Sequence, residues 1–144
     1  MPVKVSQRMK SELVTIQATA SLLEALEQML THRIRHLIVL DEQGQLFGVA
    51  TDRDLRFAMP SRLMRVEPEE RDKFLAGTAI EQVCIRNPVT ISPDDGLRQA
   101  AVLMRKGKIG CLPVTEGARV LGIVTSTDIV DAFIDLVQPA DDRG

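Results

Sequence analysis

The apolar positions of this chain follow two rhythms that alternate from the N-terminus onward. Val5 to Met9 is a short apolar lead-in, and Leu13-Val14-Thr15-Ile16 predicts a brief strand rich in β-branched residues. From Ser21 the spacing turns helical. Leu22, Leu26, Met29 and Leu30 share one face, and Ser21 with Glu24 has the form of a capping box. His32 to Arg35 is basic. Leu37-Ile38-Val39-Leu40 is an unbroken apolar run, which predicts a strand covered on both faces. Asp41-Glu42-Gln43-Gly44 reads as a turn, Leu46 to Thr51 as a returning strand, and Asp52 to Met59 as a helix stopped by Pro60.

The stretch from Ser61 to Val66 leads into a charged helix with Pro68 near its first turn and Gly77 just beyond its end. It lacks the Gly/Ser richness of a flexible linker. It therefore predicts a connector that rests on the main body through Leu63, Met64, Val66, Phe74 and Leu75.

After Gly77 the pattern restarts at an offset of 75. Ile80 to Cys84 matches Val5 to Met9, and Val89-Thr90-Ile91 matches Val14-Thr15-Ile16. Ala25, Met29, Ile34 and Leu37 match Ala100, Met104, Ile109 and Leu112. Ser92-Pro93-Asp94-Asp95 predicts a cap for the next helix, with Pro at a favourable first position. The second hairpin turn is one residue shorter, so Gly48, Thr51 and Asp54 match Gly122, Thr125 and Asp128 at an offset of 74. The chain is a tandem duplication, with a first repeat over residues 1–59, a connector over 60–77, a second repeat over 78–138 and a tail over 139–144. Each copy has three short strands and two amphipathic helices in the order β-α-β-β-α. One copy alone is marginal, so the expected fold is α+β, with the repeats packed sheet to sheet as one pseudo-two-fold module. The last helix, Ser126 to Val137, carries Ile129, Val130, Phe133, Ile134 and Val137. So broad an apolar stripe predicts burial between the repeats or against a second subunit.

Composition narrows the function. A chain of 144 residues can bury roughly 70% of its unfolded surface. Four Phe, no Trp and no Tyr leave few platforms for stacking bases, and a net charge of −2 gives no general attraction to nucleic acid or an anionic membrane. Cys84 and Cys111 stand in apolar company and read as buried thiols. No apolar run reaches the roughly 18 residues of a membrane span, and no signal-peptide core follows Met1, so a cytoplasmic location is expected. His32 and His36 with two distant Cys lack metal-ligand spacing, and no phosphate-binding Gly-Lys loop or nucleophile elbow is present. Neither catalysis, a structural metal nor a tightly bound cofactor is expected.

The Val-Thr-Ile strands, the Ala/Met helices, Arg35-His36-Leu37-Ile38-Val39, Gly110-Cys111-Leu112-Pro113-Val114 and the two Gly-x-x-Thr-x-x-Asp turns carry a resemblance. Each copy resembles a CBS motif (the cystathionine-β-synthase domain). Together, over roughly Val5 to Val137, they look like a CBS pair, or Bateman module. Thr51-Asp52-Arg53-Asp54-Leu55-Arg56, followed by Ala58 and Pro60-Ser61, looks most like stand-alone CBS-pair proteins of the acetoin-utilisation type. Those often carry a further C-terminal domain. This chain stops at Gly144, so an effector protein is expected in trans. The resemblance implies clefts that bind AMP, ADP or ATP, or in some members S-adenosylmethionine, in a homodimeric regulatory module.

The turns have chemistry suited to such a ligand. A helix N-terminus offers unpaired N–H groups to a phosphate, a Thr hydroxyl can donate, and an Asp carboxylate can accept both hydroxyls of a ribose. By resemblance, Thr125, Ser126, Thr127 and Asp128 hold ribose and phosphate at one site, with Val14, Ile34 and Arg35 toward the adenine. Thr51, Arg53 and Asp54 do so at the other, with Val89, Ile109 and Gly110 toward the base. The basic cluster of Arg33, Arg35 and His36 either adds to phosphate binding or is solvated. Thr-x-x-Asp is equally a plain capping box, and Arg53 either binds phosphate or pairs with Asp52 or Asp54. The alternative function is a constitutive dimerisation scaffold whose ligand sites have degenerated.

Overall fold

The computed structural model describes residues 2–59 and 66–137. The helix stop at Pro60, the part of the connector over residues 61–65 with Leu63 and Met64, and the tail lie outside the described residues. The elements are β1 (Thr15–Gln17), α1 (Leu22–His32), β2 (His36–Leu40), β3 (Leu46–Thr51), α2 (Asp52–Ala58), α3 (Pro68–Gly77), β4 (Ile85–Arg86), α4 (Leu97–Gly107), β5 (Cys111–Glu116), β6 (Arg119–Thr125) and α5 (Ser126–Leu136). Short 3-10 turns at Val5–Gln7 and Ile80–Gln82 open the two repeats. Among the described residues no helix is long and apolar enough to cross a membrane. The α+β class and the order of elements are as expected, with the first strand of the second repeat, expected over Val89–Ile91, reduced to a single bridge at Ile91.

The chain forms two compact units, and their boundaries differ from those of the sequence repeats. One unit is Leu13–Pro88; the other joins the segment up to Glu12 with the chain from Val89 onward. Each repeat thus gives its leading turn to the other repeat's unit. Val5 is fully buried in a core with Ile91, Leu97, Ala100, Met104, Leu112, Val114, Val124 and Ala132. Ile80 is fully buried with Ile16, Leu22, Ala25, Met29, Leu37, Val39, Ala50 and Leu55. Burying such a side chain contributes about 1.5–3 kcal/mol, so each unit gains its exchanged turn as part of its core.

In the Leu13–Pro88 unit the sheet runs β1-β2-β3-β4, with β1 parallel to β2 and the remaining pairs antiparallel. The other unit repeats this order in reduced form. β5 and β6 make the hairpin, a single parallel bridge from Ile91 to Val114 takes the place of β1, and an antiparallel bridge from Lys10 to Ile123 takes the place of β4. Gly48 and Gly122 are required by this close pairing. A Cβ on Gly122 would meet the Lys10 carbonyl oxygen at 2.7 Å, and one on Gly48 would collide with the Ile85 carbonyl oxygen.

The helix starts show a second use of the exchanged segments. Ser21 Oγ accepts from Glu24 N at 3.1 Å, but the return bond of the expected capping box is not among the described bonds. The Ser92–Asp95 cap is corrected: α4 starts at Leu97, with Gly96 in the cap position and no side-chain bond. Those four residues instead close a turn, in which Asp95 N donates to Ser92 O at 3.1 Å and Ser92 N to the Asp95 carboxylate at 3.0 Å. An orphan N–H in each first turn is satisfied by backbone: Leu97 N donates to Val3 O and Leu22 N to Thr78 O, at 2.8 and 2.9 Å. Pro68 occupies the first turn of α3, as expected, whereas Gly77 is the last helical residue rather than the one beyond it.

Met29 and Met104 fill the two cores, and both cysteines are buried. Burial pushes the Cys84 thiol above its ordinary pKa; Asp54 adds to the rise and Arg86 opposes it. The apolar stripe of α5 divides. Ile129 packs against the core, while Val130, Phe133, Ile134, Leu136 and Val137 are exposed in the single chain.

Two outcomes follow from this packing. Gly122→Ala should lower the urea-unfolding stability by about 1–3 kcal/mol through overpacking, whereas Gly77→Ala, where the added Cβ meets open space, should be neutral or mildly stabilising. Equal stabilities would contradict the close approach of Lys10. Iodoacetamide at pH 8 should label Cys84 far more slowly in the native protein than in urea, as read by peptide mass spectrometry, because burial disfavours the reactive thiolate. Native labelling as fast as in urea would contradict this.

Candidate functional site

Each unit ends its longest strand in a Thr that is also the cap of the following helix. β3 hands over to α2 at Thr51, and β6 to α5 at Thr125. Backbone bonds pin each turn to the start of the neighbouring strand. Asp52 N donates to Arg35 O at 3.0 Å, and Ser126 N to Gly110 O at 2.8 Å. His36 stands opposite Thr51 in one ladder, and Cys111 opposite Thr125 in the other. Arg35 and His36 are therefore neighbours of the Thr51 turn, and Gly110 of the Thr125 turn. Val14 and Ile34 rest partly buried on one core and Ile109 on the other, while Val89 is exposed.

The two turns share a frame and differ in detail. In both, the Thr backbone N–H donates to the Asp carboxylate, Thr51 to Asp54 Oδ2 at 3.0 Å and Thr125 to Asp128 Oδ2 at 2.8 Å. Thr51 Oγ1 accepts from the Asp54 N–H at 3.1 Å. Thr125 Oγ1 instead donates to Asp128 Oδ2 at 3.1 Å. Both turns thus cap their helices, with one carboxylate oxygen committed to that task. Ser126 and Thr127 are exposed at the start of α5, while Thr125 and Asp128 are buried, at 9% and 7% exposure.

A buried carboxylate needs a charged or hydrogen-bonding partner. For Asp128 that partner is Lys10, which reading the sequence had not connected to the site. Lys10 Nζ lies 2.9 Å from Asp128 Oδ1 and 3.5 Å from Thr125 Oγ1, and its side chain is 53% exposed. The lysine is placed by backbone: Lys10 N donates to Ile123 O at 2.8 Å and Ile123 N to Lys10 O at 3.0 Å. Arg8 ties the same segment to α5 through Asp135, 2.7 Å away. The 75-residue offset aligns Lys10 with apolar Ile85, but it also aligns Arg8 with Val83, so it does not single the lysine out.

At the other turn the guanidinium of Arg53 lies over the Phe57 ring, 5.4 Å from its centroid, and Asp52 pairs with Arg56 at 3.3 Å. The expected choice of Asp52 or Asp54 as partner for Arg53 is thus corrected, because an aromatic one turn along α2 offers an exposed cation–π contact. Arg33 and Arg35 are exposed.

This geometry can be set beside known proteins. The family model of the CBS domain matches residues 5–61 and 80–135. A CBS domain-containing protein of Dictyostelium discoideum is 36% identical over 140 residues, 96% of this chain and 97% of that one. An acetoin utilization protein (AcuB) of Vibrio cholerae has a similar structure, with a TM-score of 0.77 and 30% identity over 94% of this chain and 93% of its own. The CBS domain pair of protein MJ0100, solved with 5′-methylthioadenosine and S-adenosyl-L-methionine, has a TM-score of 0.78 and 29% identity over 94% and 98%. Several enzymes also match, but the chain spans only 21% to 23% of their length. With both repeats matched, and the Thr-x-x-Asp turn in the same place in each, this chain belongs to the CBS-domain family as a CBS pair.

Proposed function

We propose that this CBS pair is a non-catalytic regulatory module that binds an adenine nucleotide (AMP, ADP or ATP) at its Thr-x-x-Asp turns. The observation that carries the reading is the Thr125 turn, where a buried carboxylate and exposed hydroxyls flank the start of an 11-residue helix. Asp128 supplies acceptors for ribose hydroxyls, and Ser126, Thr127 and the first N–H groups of α5 supply donors for a phosphate. Thr51, Arg53 and Asp54 serve the second site, with Arg35 and His36 beside them. Gly110 stands beside the Thr125 turn, where Ser126 N donates to its carbonyl oxygen. The binding of 5′-methylthioadenosine and S-adenosyl-L-methionine by the MJ0100 pair, which is 29% identical, supports an adenosine ligand.

Ligand binding at these turns acts by population shift, favouring one arrangement of subunits that an effector protein in the cytoplasm reads. The subunits pair through α5, where Phe133 is 65% exposed and Val130, Ile134, Leu136 and Val137 extend the apolar surface.

Asp128→Asn and Asp54→Asn each exchange one acceptor oxygen for a donor while keeping side-chain shape. Calorimetry with AMP should show each variant weakening binding at one site about ten- to a hundredfold, the loss of a charge-assisted contact worth about 1.5–3 kcal/mol. AMP affinity unchanged in both variants would contradict the assigned ribose contacts. Wild-type protein should also bind 2′-deoxy-AMP more weakly than AMP, and equal affinities would count against them too.

A further inference from the structure

We infer that Lys10, carried into the second repeat's unit by the leading segment, is the specificity-determining residue of the Thr125 site and selects adenosine ligands bearing an anionic 5′ group over uncharged ones. The inference rests on the adenosine-ligand reading above and identifies which chemical class that site prefers. Three observations bear on it. First, the ammonium is held at the site by backbone: both hydrogen bonds between Lys10 and Ile123 are made, and Ile123 lies two residues before Thr125. Second, the ammonium engages Asp128 Oδ1 at 2.9 Å and reaches Thr125 Oγ1 only at 3.5 Å, while its side chain stays 53% exposed. An ammonium has three donors, so one can point to an incoming anion while another keeps Asp128. Third, the matching position in the other unit is Ile85, 47% exposed and uncharged. The two turns therefore differ in charge at equivalent places.

The balance of charge explains the selectivity. Asp128 alone would present a negative, buried carboxylate beside the donors of α5, which repels a phosphate placed next to the ribose. Lys10 cancels that charge and adds a donor. A ligand with a phosphate gains the contact, whereas adenosine or 5′-methylthioadenosine makes no use of it. Any competition between Lys10 and a ribose hydroxyl for Asp128 Oδ1 affects phosphorylated and unphosphorylated ligands alike. It cancels in the ratio of their affinities, so the ratio isolates the charge.

The test is isothermal titration calorimetry of the full chain with AMP and with adenosine, in an Asp54→Ala background that weakens the other turn. Lys10→Gln removes the charge and shortens the side chain by one atom, while leaving an amide N–H donor near Asp128. It should lower the AMP-to-adenosine affinity ratio about tenfold or more, the loss of one charged hydrogen bond. Lys10→Arg should retain most of the ratio. If Lys10→Gln fails to fold, Lys10→Met is read in the same way. A ratio unchanged in the uncharged variant, with both ligands still binding, would overturn the role of Lys10 and leave nucleotide binding intact. Failure of AMP and adenosine to bind the wild-type protein would instead overturn the adenosine-ligand reading, and this inference with it.

Discussion

Two reciprocal backbone hydrogen bonds between Lys10 and Ile123 tie the leading segment into the second repeat's unit. They fix the edge of the β5–β6 hairpin, and they explain why the position before Ile123 must be Gly122: any side chain would strike the Lys10 carbonyl oxygen. They also carry Lys10 Nζ to Asp128. Val5 enters the core a few residues earlier, and Val3 supplies the carbonyl that satisfies the first turn of α4. One short segment thus completes the sheet, the core, a helix start and the candidate site.

The same logic operates in the Leu13–Pro88 unit, with a different chemical result. Ile85 pairs with Val49, Gly48 makes room for the pairing, and Thr78 satisfies the first turn of α1. The side chain delivered beside the Thr51 turn is apolar, and the nearby cation Arg53 comes from α2 and stacks on Phe57. Duplication preserved the backbone frame, where steric and hydrogen-bonding constraints are strict. It let the charge at the turns diverge, because an exposed side chain at the edge of a sheet costs little to change.

Much of this was legible in the residues. The β-branched strands, the Ala/Met helix faces and the offset matches give the element order, because hydrophobic period follows backbone geometry directly. The Thr-x-x-Asp turns were legible as pairs, and their capping geometry is present in both. The exchange of leading turns was not, since Val5 and Ile80 are similar apolar residues that fit either core. The start of α4 was misread because its donor is met by a distant carbonyl, which leaves no local side-chain signal. Arg53 was expected among carboxylates, but Phe57 one helical turn away competes for it. Lys10 lies just beyond the apolar lead-in of Val5 to Met9, and its mismatch with Ile85 is no greater than that of Arg8 with Val83.

The claim that the leading segment is an integral part of the second repeat's unit is tested most directly by native-state amide hydrogen exchange at Lys10 and Ile123. Both amides should exchange as slowly as those of the paired β5–β6 residues such as Val124, since their opening requires that unit to open. Exchange at near-unprotected rates for Lys10 and Ile123, while Val124 stays protected, would contradict the account.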